Sequence, residues 1–440
     1  MPRLVDRTLV DRTLVVGGVG VVVAALALVG GARRVAAAEE VERLGFADAV
    51  TRALQHNPNV TVAVEEIHRA QAIVEQTRAQ SLPTLTVNGA YTRLDGDRIL
   101  GANVVTPANS LSANLVLAVP LIQPRGWGQW SHARENVDVS RLSANEVRRQ
   151  LAISTARTYL SIIAARRVLE VTVRARTTAE AHYQFAHQRY TSGYGSRVDE
   201  VRAAQELATD RSQVESAEAQ LTRTREALGV LLGTDHAIDA ADDAPALGAA
   251  PIDMGASLAE ARSQRADIKL NQSRVEATHH LVRDDWLDYL PSLYATFVPF
   301  VGTPTVTLPG SGWQAQLSLS WSIYDGGLRY GLAKERRALE NEARAQLEGS
   351  VRQAASEVRT ADEEVRRTTT SLTAARDAAK NAADALDLTT LGYRAGATTN
   401  IEVIDAERAA RDAATAVAIA EDSWRQALLA LLIATGRFPV

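Results

Sequence analysis

From Gln314 to Ile323 the chain alternates strictly. Ala315, Leu317, Leu319, Trp321 and Ile323 fall on one side, and Gln314, Gln316, Ser318, Ser320 and Ser322 on the other. A period of two with unlike faces predicts a β-strand. The same period runs through Leu85, Val87, Gly89 and Tyr91 against Thr84, Thr86, Asn88 and Thr92, and again from Leu111 to Leu121. Polar or Gly/Pro-containing connections separate these runs, at 95–110 and 302–312. The pattern predicts one hairpin in each half of the chain, at about 83–121 and 291–324. Strands of roughly ten residues are the length a tilted strand needs to cross a bilayer. A soluble sandwich face would alternate in the same way. If the strands lie in a membrane, four cannot close a barrel, since the smallest have about eight. An open edge cannot sit in lipid, so several chains would have to share one barrel. Trp286, Tyr289, Trp313, Trp321 and Tyr324 cluster at the strand ends, as interfacial aromatics do.

Elsewhere the period is helical. Residues 46–80 and 258–289 read as helices, broken at Asn57-Pro58 and at Arg265-Ala266-Asp267. After each hairpin comes a proline-free run rich in Ala, Arg, Glu, Leu and Val, at 126–188 and 326–391. At 1.5 Å per residue each reaches about 95 Å, and so long an uncapped run points to coiled-coil packing. Shorter return helices follow at 198–232 and 401–435.

The two halves repeat one plan. Tyr190, Gly193, Asp199 and Gly233 recur as Tyr393, Gly396, Glu402 and Gly436, each pair 203 positions apart (393 − 190). Pro58 and Ala266, and Pro83 and Pro291, are 208 apart (291 − 83). Fixed offsets over such lengths indicate an internal duplication, with repeats at 39–233 and 256–440 joined by a linker at 234–255. In each repeat the Tyr-x-x-Gly segment ends a helix with a glycine suited to a left-handed cap. Acidic residues open the next helix, where its dipole favours them.

Arg3, Arg7 and Arg12 precede an apolar run from Leu14 to Val29, and Ala36-Ala37-Ala38 follows as a small-residue cleavage site. Residues 1–38 therefore read as a signal peptide. Aromatics are only 5% of a chain that is 46% hydrophobic, a composition suited to closely packed helices. With no cysteine, disulfides and thiolate metal sites are excluded. A net charge of −4 gives no reason to expect nucleic acid. His182 with His187, and His279 with His280, lack the spacing of paired metal ligands and read as surface histidines. No enzyme signature and no metal or cofactor motif is present.

Taken together, these features resemble the TolC-like outer-membrane efflux proteins. The resemblance rests on the leader, the two helix–hairpin–long helix–tip–helix repeats, and the Y-x-x-G tip followed by [VI]-[DE]. It also rests on Trp321-Ser322-Ile323-Tyr324-Asp325-Gly326-Gly327, similar to the family's exit turn, from which 119–126 departs. It implies a mainly α chain with a membrane β-barrel contribution: a homotrimer whose twelve-stranded barrel, four strands per chain, continues into a helical coiled-coil tunnel. It implies the outer membrane of a Gram-negative bacterium, with the tunnel extending into the periplasm among outer-membrane lipid. It implies a passive, non-enzymatic exit duct without cofactors, serving a periplasmic adaptor (membrane fusion) protein and an inner-membrane pump. A protein-secretion duct and a non-conducting envelope-spanning scaffold remain alternatives. Carried over by position, the resemblance puts Tyr393 and Asp199 in a network that closes the periplasmic mouth. It puts Glu402 and Asp405 at acidic ring positions, and Tyr190, Gly193 and Gly396 at adaptor-contacting tips. Thr398 stands where the family's latch has an arginine, and Arg202 or Arg197 is expected to supply that cation.

Overall fold

The computed structural model describes residues 41–101, 103–241, 253–304 and 309–438. The expected signal peptide at 1–38 lies outside the described residues, as do positions 242–252 of the expected linker.

The described chain opens with a short strand, β1 (Glu42–Leu44), then helices α1 (Phe46–His56) and α2 (Pro58–Ala79). Asn57 makes the break between these helices. Its side chain caps α2 by accepting from Asn59 N at 2.9 Å and donates to Leu231 O at 2.8 Å. Strand β2 (Thr84–Arg93) follows, then a small hairpin of β3 (Arg98–Leu100) and β4 (Asn103–Thr106), then β5 (Asn109–Ile122). The β3–β4 hairpin occupies a stretch whose polar composition reads as a plain connection. Its pairing is local and offset by a bulge, so no long alternation marks it.

Helix α3 (Pro124–Thr191) and its return partner α4 (Arg197–Leu232) come next, then β6 (Ile238–Ala240), which pairs in parallel with β1. The second half runs through α5 (Met254–Gln264), α6 (Ala266–Arg283), a 3₁₀ turn at Asp284–Tyr289, strands β7 (Ser292–Gly302) and β8 (Ser311–Ser320), and helices α7 (Leu328–Arg394) and α8 (Asn400–Thr435). Starts of α1 and α5, of α2 and α6, and of β2 and β7 are 208 apart (254 − 46). Starts of α4 and α8 are 203 apart (400 − 197). At 68 and 67 residues, α3 and α7 each extend about 100 Å.

The four long strands form one antiparallel sheet in the order β2-β5-β7-β8. Directly paired residues share a face, so the register sorts the side chains. Leu85, Leu117 and Phe297 line up across the sheet, as do Leu293 with Leu319 and Ala295 with Leu317. The opposite face carries Asn88 with Asn114, and Thr84, Ala118, Thr296 and Gln316 in one row. The apolar face is bare: Leu85, Val87, Leu317 and Leu319 are each more than 60% exposed. The edge strands β2 and β8 have no second partner among the described residues. Strand β8 stops at Ser320, one residue before Trp321, whose indole N–H turns to donate to Tyr289 O at 3.1 Å.

The largest apolar core sits midway along α3. Tyr159, Leu160 and Ile162 pack against Leu228 and Leu232 of α4, Ile238 of β6 and Leu429 of α8. Tyr159 donates to Leu44 O at 3.1 Å and stacks edge-on against Phe46. The buried Asp239 binds Arg166 and Arg225, each at 2.7 Å, and ties α3 and α4 to this belt. Much of the remaining buried surface is alanine, at 49, 53, 144, 152, 156, 354 and 361, which lets long helices approach closely. Among the described residues no helix is long and apolar enough to cross a membrane.

Candidate functional site

The sequence-selected residues gather where α3 turns into α4 and α7 into α8. The two turns have one geometry. Gly193 N bonds to Tyr190 O at 3.0 Å and Tyr194 N to Arg189 O at 3.0 Å; Gly396 N bonds to Tyr393 O at 3.1 Å and Ala397 N to Gly392 O at 2.7 Å. Gly193 and Gly396 both have φ of 78°, and this paired bonding closes a helix only around a residue in the left-handed region. The recurring Tyr-x-x-Gly is therefore a helix stop.

The two tyrosines differ in what they touch. Tyr190 is exposed, and Arg197 lies over its ring at 5.4 Å. Tyr393 is buried between α3 and α7, with His182 and Phe185 each edge-on at 5.7 Å and the Arg189 guanidinium at 5.2 Å. Burial pushes the Tyr393 hydroxyl up, partly offset by Arg189, while the charge of Asp199 adds to the rise. Tyr393 and Asp199 are thus brought into one neighbourhood. The cation on that ring is Arg189. Arg202 is exposed on α4 without an ion pair among the described residues, and Arg197 pairs with Glu200.

Glu402 begins α8 in a capping box: the Thr399 side chain accepts from the Glu402 backbone, and Thr399 N donates to Glu402 Oε2 at 3.0 Å. Asp199 occupies the matching place in α4, where Ser196 makes the cap instead, accepting from Val198 N at 3.1 Å. Asp405 is exposed one turn beyond Glu402, so the two carboxylates share a face.

Below these turns lies a buried polar seam. His182, expected at the surface, is 8% exposed, because α8 packs across that face of α3. Its Nδ1 is 3.0 Å from Glu407 Oε1 and its Nε2 2.8 Å from Asn400 Oδ1, and Asn400 Nδ2 donates to Asp199 O at 3.3 Å. Deeper in the seam, Arg411 bridges the buried Glu206 at 3.0 Å and Asp210 at 2.6 Å, and Arg408 also meets Glu206, at 2.6 Å. Burial raises the Asp210 carboxyl, an effect Arg411 opposes. Asn400, Glu407 and Arg411 are spaced by seven and four, alongside the buried Val403 and Ile404. Polar residues on the core stripe of a helix were the available sequence signal. His187 is the more accessible of the first pair and bonds to Glu200 at 2.7 Å. His279 and His280 bond to Glu340 and Glu135. Among the described residues no three His, Asp or Glu side chains are placed to hold a metal ion.

Comparison with known proteins gives consistent results. The family model described as outer membrane efflux protein matches residues 49–234 and 239–437. Outer membrane protein TolC of Escherichia coli (strain K12) is 23% identical over 367 residues, spanning 80% of this chain and 73% of TolC. Outer membrane protein OprJ of Pseudomonas aeruginosa is 25% identical over 376 residues, spanning 82% of this chain and 77% of OprJ. A crystal structure of a membrane protein from Pseudomonas aeruginosa superimposes with a TM-score of 0.78 at 21% identity, covering 90% of this chain and 91% of that one.

Proposed function

The chain belongs to the outer membrane efflux protein family, and from that premise we propose that it is the exit duct of a tripartite efflux system, a passive conduit for small molecules. Family membership places it in the outer membrane and makes it a channel protein rather than an enzyme. The single observation that carries the duct reading is the four-stranded sheet with one bare apolar face and two open edges, continuous in sequence with two helices of about 100 Å. An apolar face of that kind suits lipid. Open edges in lipid require further strands, and three copies would supply twelve, enough for a barrel with a lumen. The opposite face, with Asn88, Asn114, Thr296 and Gln316, would then face that lumen.

In this reading residues 1–38 direct export, and the two repeats each contribute one hairpin and one coiled-coil pair. The helix tips form the periplasmic mouth. Tyr393 and Asp199 help to close it, Glu402 and Asp405 line it, and Arg202 borders it. Tyr190, Gly193 and Gly396 present the turns to a periplasmic adaptor, which joins the duct to an inner-membrane pump. The test is the mass of the detergent-solubilised protein together with its current in planar bilayers. A trimer with discrete conductance steps supports the duct. A trimer that carries no current at any voltage would leave a scaffold, and a stable monomer with protease-resistant strands would remove the shared barrel. Accumulation of small toxic compounds, rather than of a secreted protein, in a deletion strain separates efflux from secretion.

A further inference from the structure

His182 lies nine residues before the end of α3, roughly 14 Å below the tip, and both its ring nitrogens meet oxygen atoms. The Glu407 carboxylate can only accept a hydrogen bond. The orientation of the Asn400 amide is set by its Nδ2, which donates to Asp199 O, so the oxygen it turns to His182 also accepts. Two acceptors require two N–H donors, and only the imidazolium has both. A neutral ring would satisfy one oxygen and set a lone pair against the other.

The surroundings agree with a charged ring. Glu407 Oε2 is buried without a partner among the described residues, so His182 supplies the counter-charge for that carboxylate. From α4 the ring feels Asp199, and from α7 it meets Tyr393 edge-on. Its own helix adds Phe185 and Arg189, both engaged with Tyr393. On α8 the cations Arg408 and Arg411 are committed to Glu206 and Asp210. The contacts also cross the molecule in a particular way. His182 belongs to the α3–α4 pair, while Glu407 and Asn400 belong to the α7–α8 pair, so moving one pair away from the other must break these bonds.

We propose that His182 is a proton-operated clamp at the tip: doubly protonated, it bridges α3 to Glu407 and, through Asn400, to α4, and loss of one proton breaks one bridge and weakens the hold on the α7–α8 pair. The Arg408 and Arg411 ion pairs to α4 and the Arg189–Tyr393 contact still join that pair to its neighbour. The proposal rests on the reading of the tips as the channel mouth. Burial by itself would lower the pKa of His182, but the hydrogen bond and charge of Glu407, the Asn400 bond and the charge of Asp199 together hold it above the ordinary 6.5. A raised histidine pKa gives stabilisation that is complete below about 6.5 and lost as pH rises through the folded value. The clamp is therefore firm in acid and loose in mild alkali.

The experiment uses the full-length trimer. Ring protonation of isotopically labelled histidine is followed by NMR, with His182→Gln assigning the signal, and single-channel open probability is recorded from pH 6 to 9. The expected midpoint lies above 6.5 and falls in Glu407→Gln. The expected open probability rises at least about tenfold with pH, the consequence of losing one charge-assisted hydrogen bond, while His182→Gln is open and flat throughout. A midpoint at or below 6.5, or the same pH response in wild type and His182→Gln, overturns the clamp. Absence of current in every variant overturns the channel reading instead. Amide exchange at the tip then decides the clamp: acceleration with pH beyond the intrinsic rate in wild type but not in His182→Gln supports it, and equal acceleration in both overturns it.

Discussion

The Arg189 guanidinium lies 5.2 Å from the centre of the Tyr393 ring, so a cation near the end of α3 rests on the aromatic residue near the end of α7. Each belongs to a different helix pair, and neither position is free to turn away, because both helices are stopped one turn later by a left-handed glycine. A stacked, partly desolvated pair of this kind contributes about 1 kcal/mol. Arg189→Leu should therefore loosen the tip, raising local amide exchange about fivefold, whereas Tyr393→Phe keeps the ring face, loses only the hydroxyl's hydrogen bond to Arg189, and should raise it less. Equal exchange in wild type and Arg189→Leu would show that the stacking carries no load.

Asp239 predicts how the central belt responds to acid. Burial would raise its pKa, but the hydrogen bonds and charges of Arg225 and Arg166 hold it below the ordinary 3.8. A depressed carboxylate gives stabilisation that is present above about 3.8 and lost as pH falls through the folded value. Thermal unfolding between pH 2 and 5 should show this loss in wild type and a flatter profile in Asp239→Asn. At neutral pH the substitution should cost about 3–5 kcal/mol, because it leaves two partly buried guanidinium groups without their carboxylate.

The sheet register predicts opposite outcomes for neighbouring residues. Leu319 stands on the apolar face with Leu293, and Ser318 on the polar face with Tyr294. Leu319→Arg should impair membrane insertion by about 2–4 kcal/mol if it lies near the bilayer centre, while Ser318→Arg should insert normally and alter conductance. Yields of heat-modifiable trimer in outer-membrane fractions measure both. Equal yields would mean that the apolar face does not meet lipid.

Glu402 has two roles to separate, because its carboxylate closes a capping box. Glutamine keeps that box and removes the charge. Glu402→Gln with Asp405→Asn should leave melting unchanged within about 0.5 kcal/mol and reduce the preference for cations over anions, read as a shift in reversal potential. An unchanged reversal potential would leave Glu402 as a helix cap alone.

Much of the architecture is determined by the sequence itself. The alternation at 314–323 needs only a two-residue period to state that two unlike faces exist. Tyr-x-x-Gly at 190 and 393 needs only a helix end and a residue tolerant of φ near 78°. The repeat offsets needed no structure at all. The alternation and the helix stop are local signals, each depending on a few neighbouring residues, and the offsets come from comparing the chain with itself; the long helices and paired tips follow from them.

Tertiary structure decided what meets at the tip. His182 meets Asn400 and Glu407 across more than two hundred positions, and Arg189 rather than Arg202 or Arg197 reaches Tyr393. A helix turns about 100° per residue, so a shift of one residue in the packing of α3 against α8 would carry His182 off the seam and into solvent. Sequence periodicity cannot supply that rotation to within one residue over helices of 68 and 36 residues. It comes from the belt around Tyr159, Leu228 and Leu429, whose close packing locks the helices against one another.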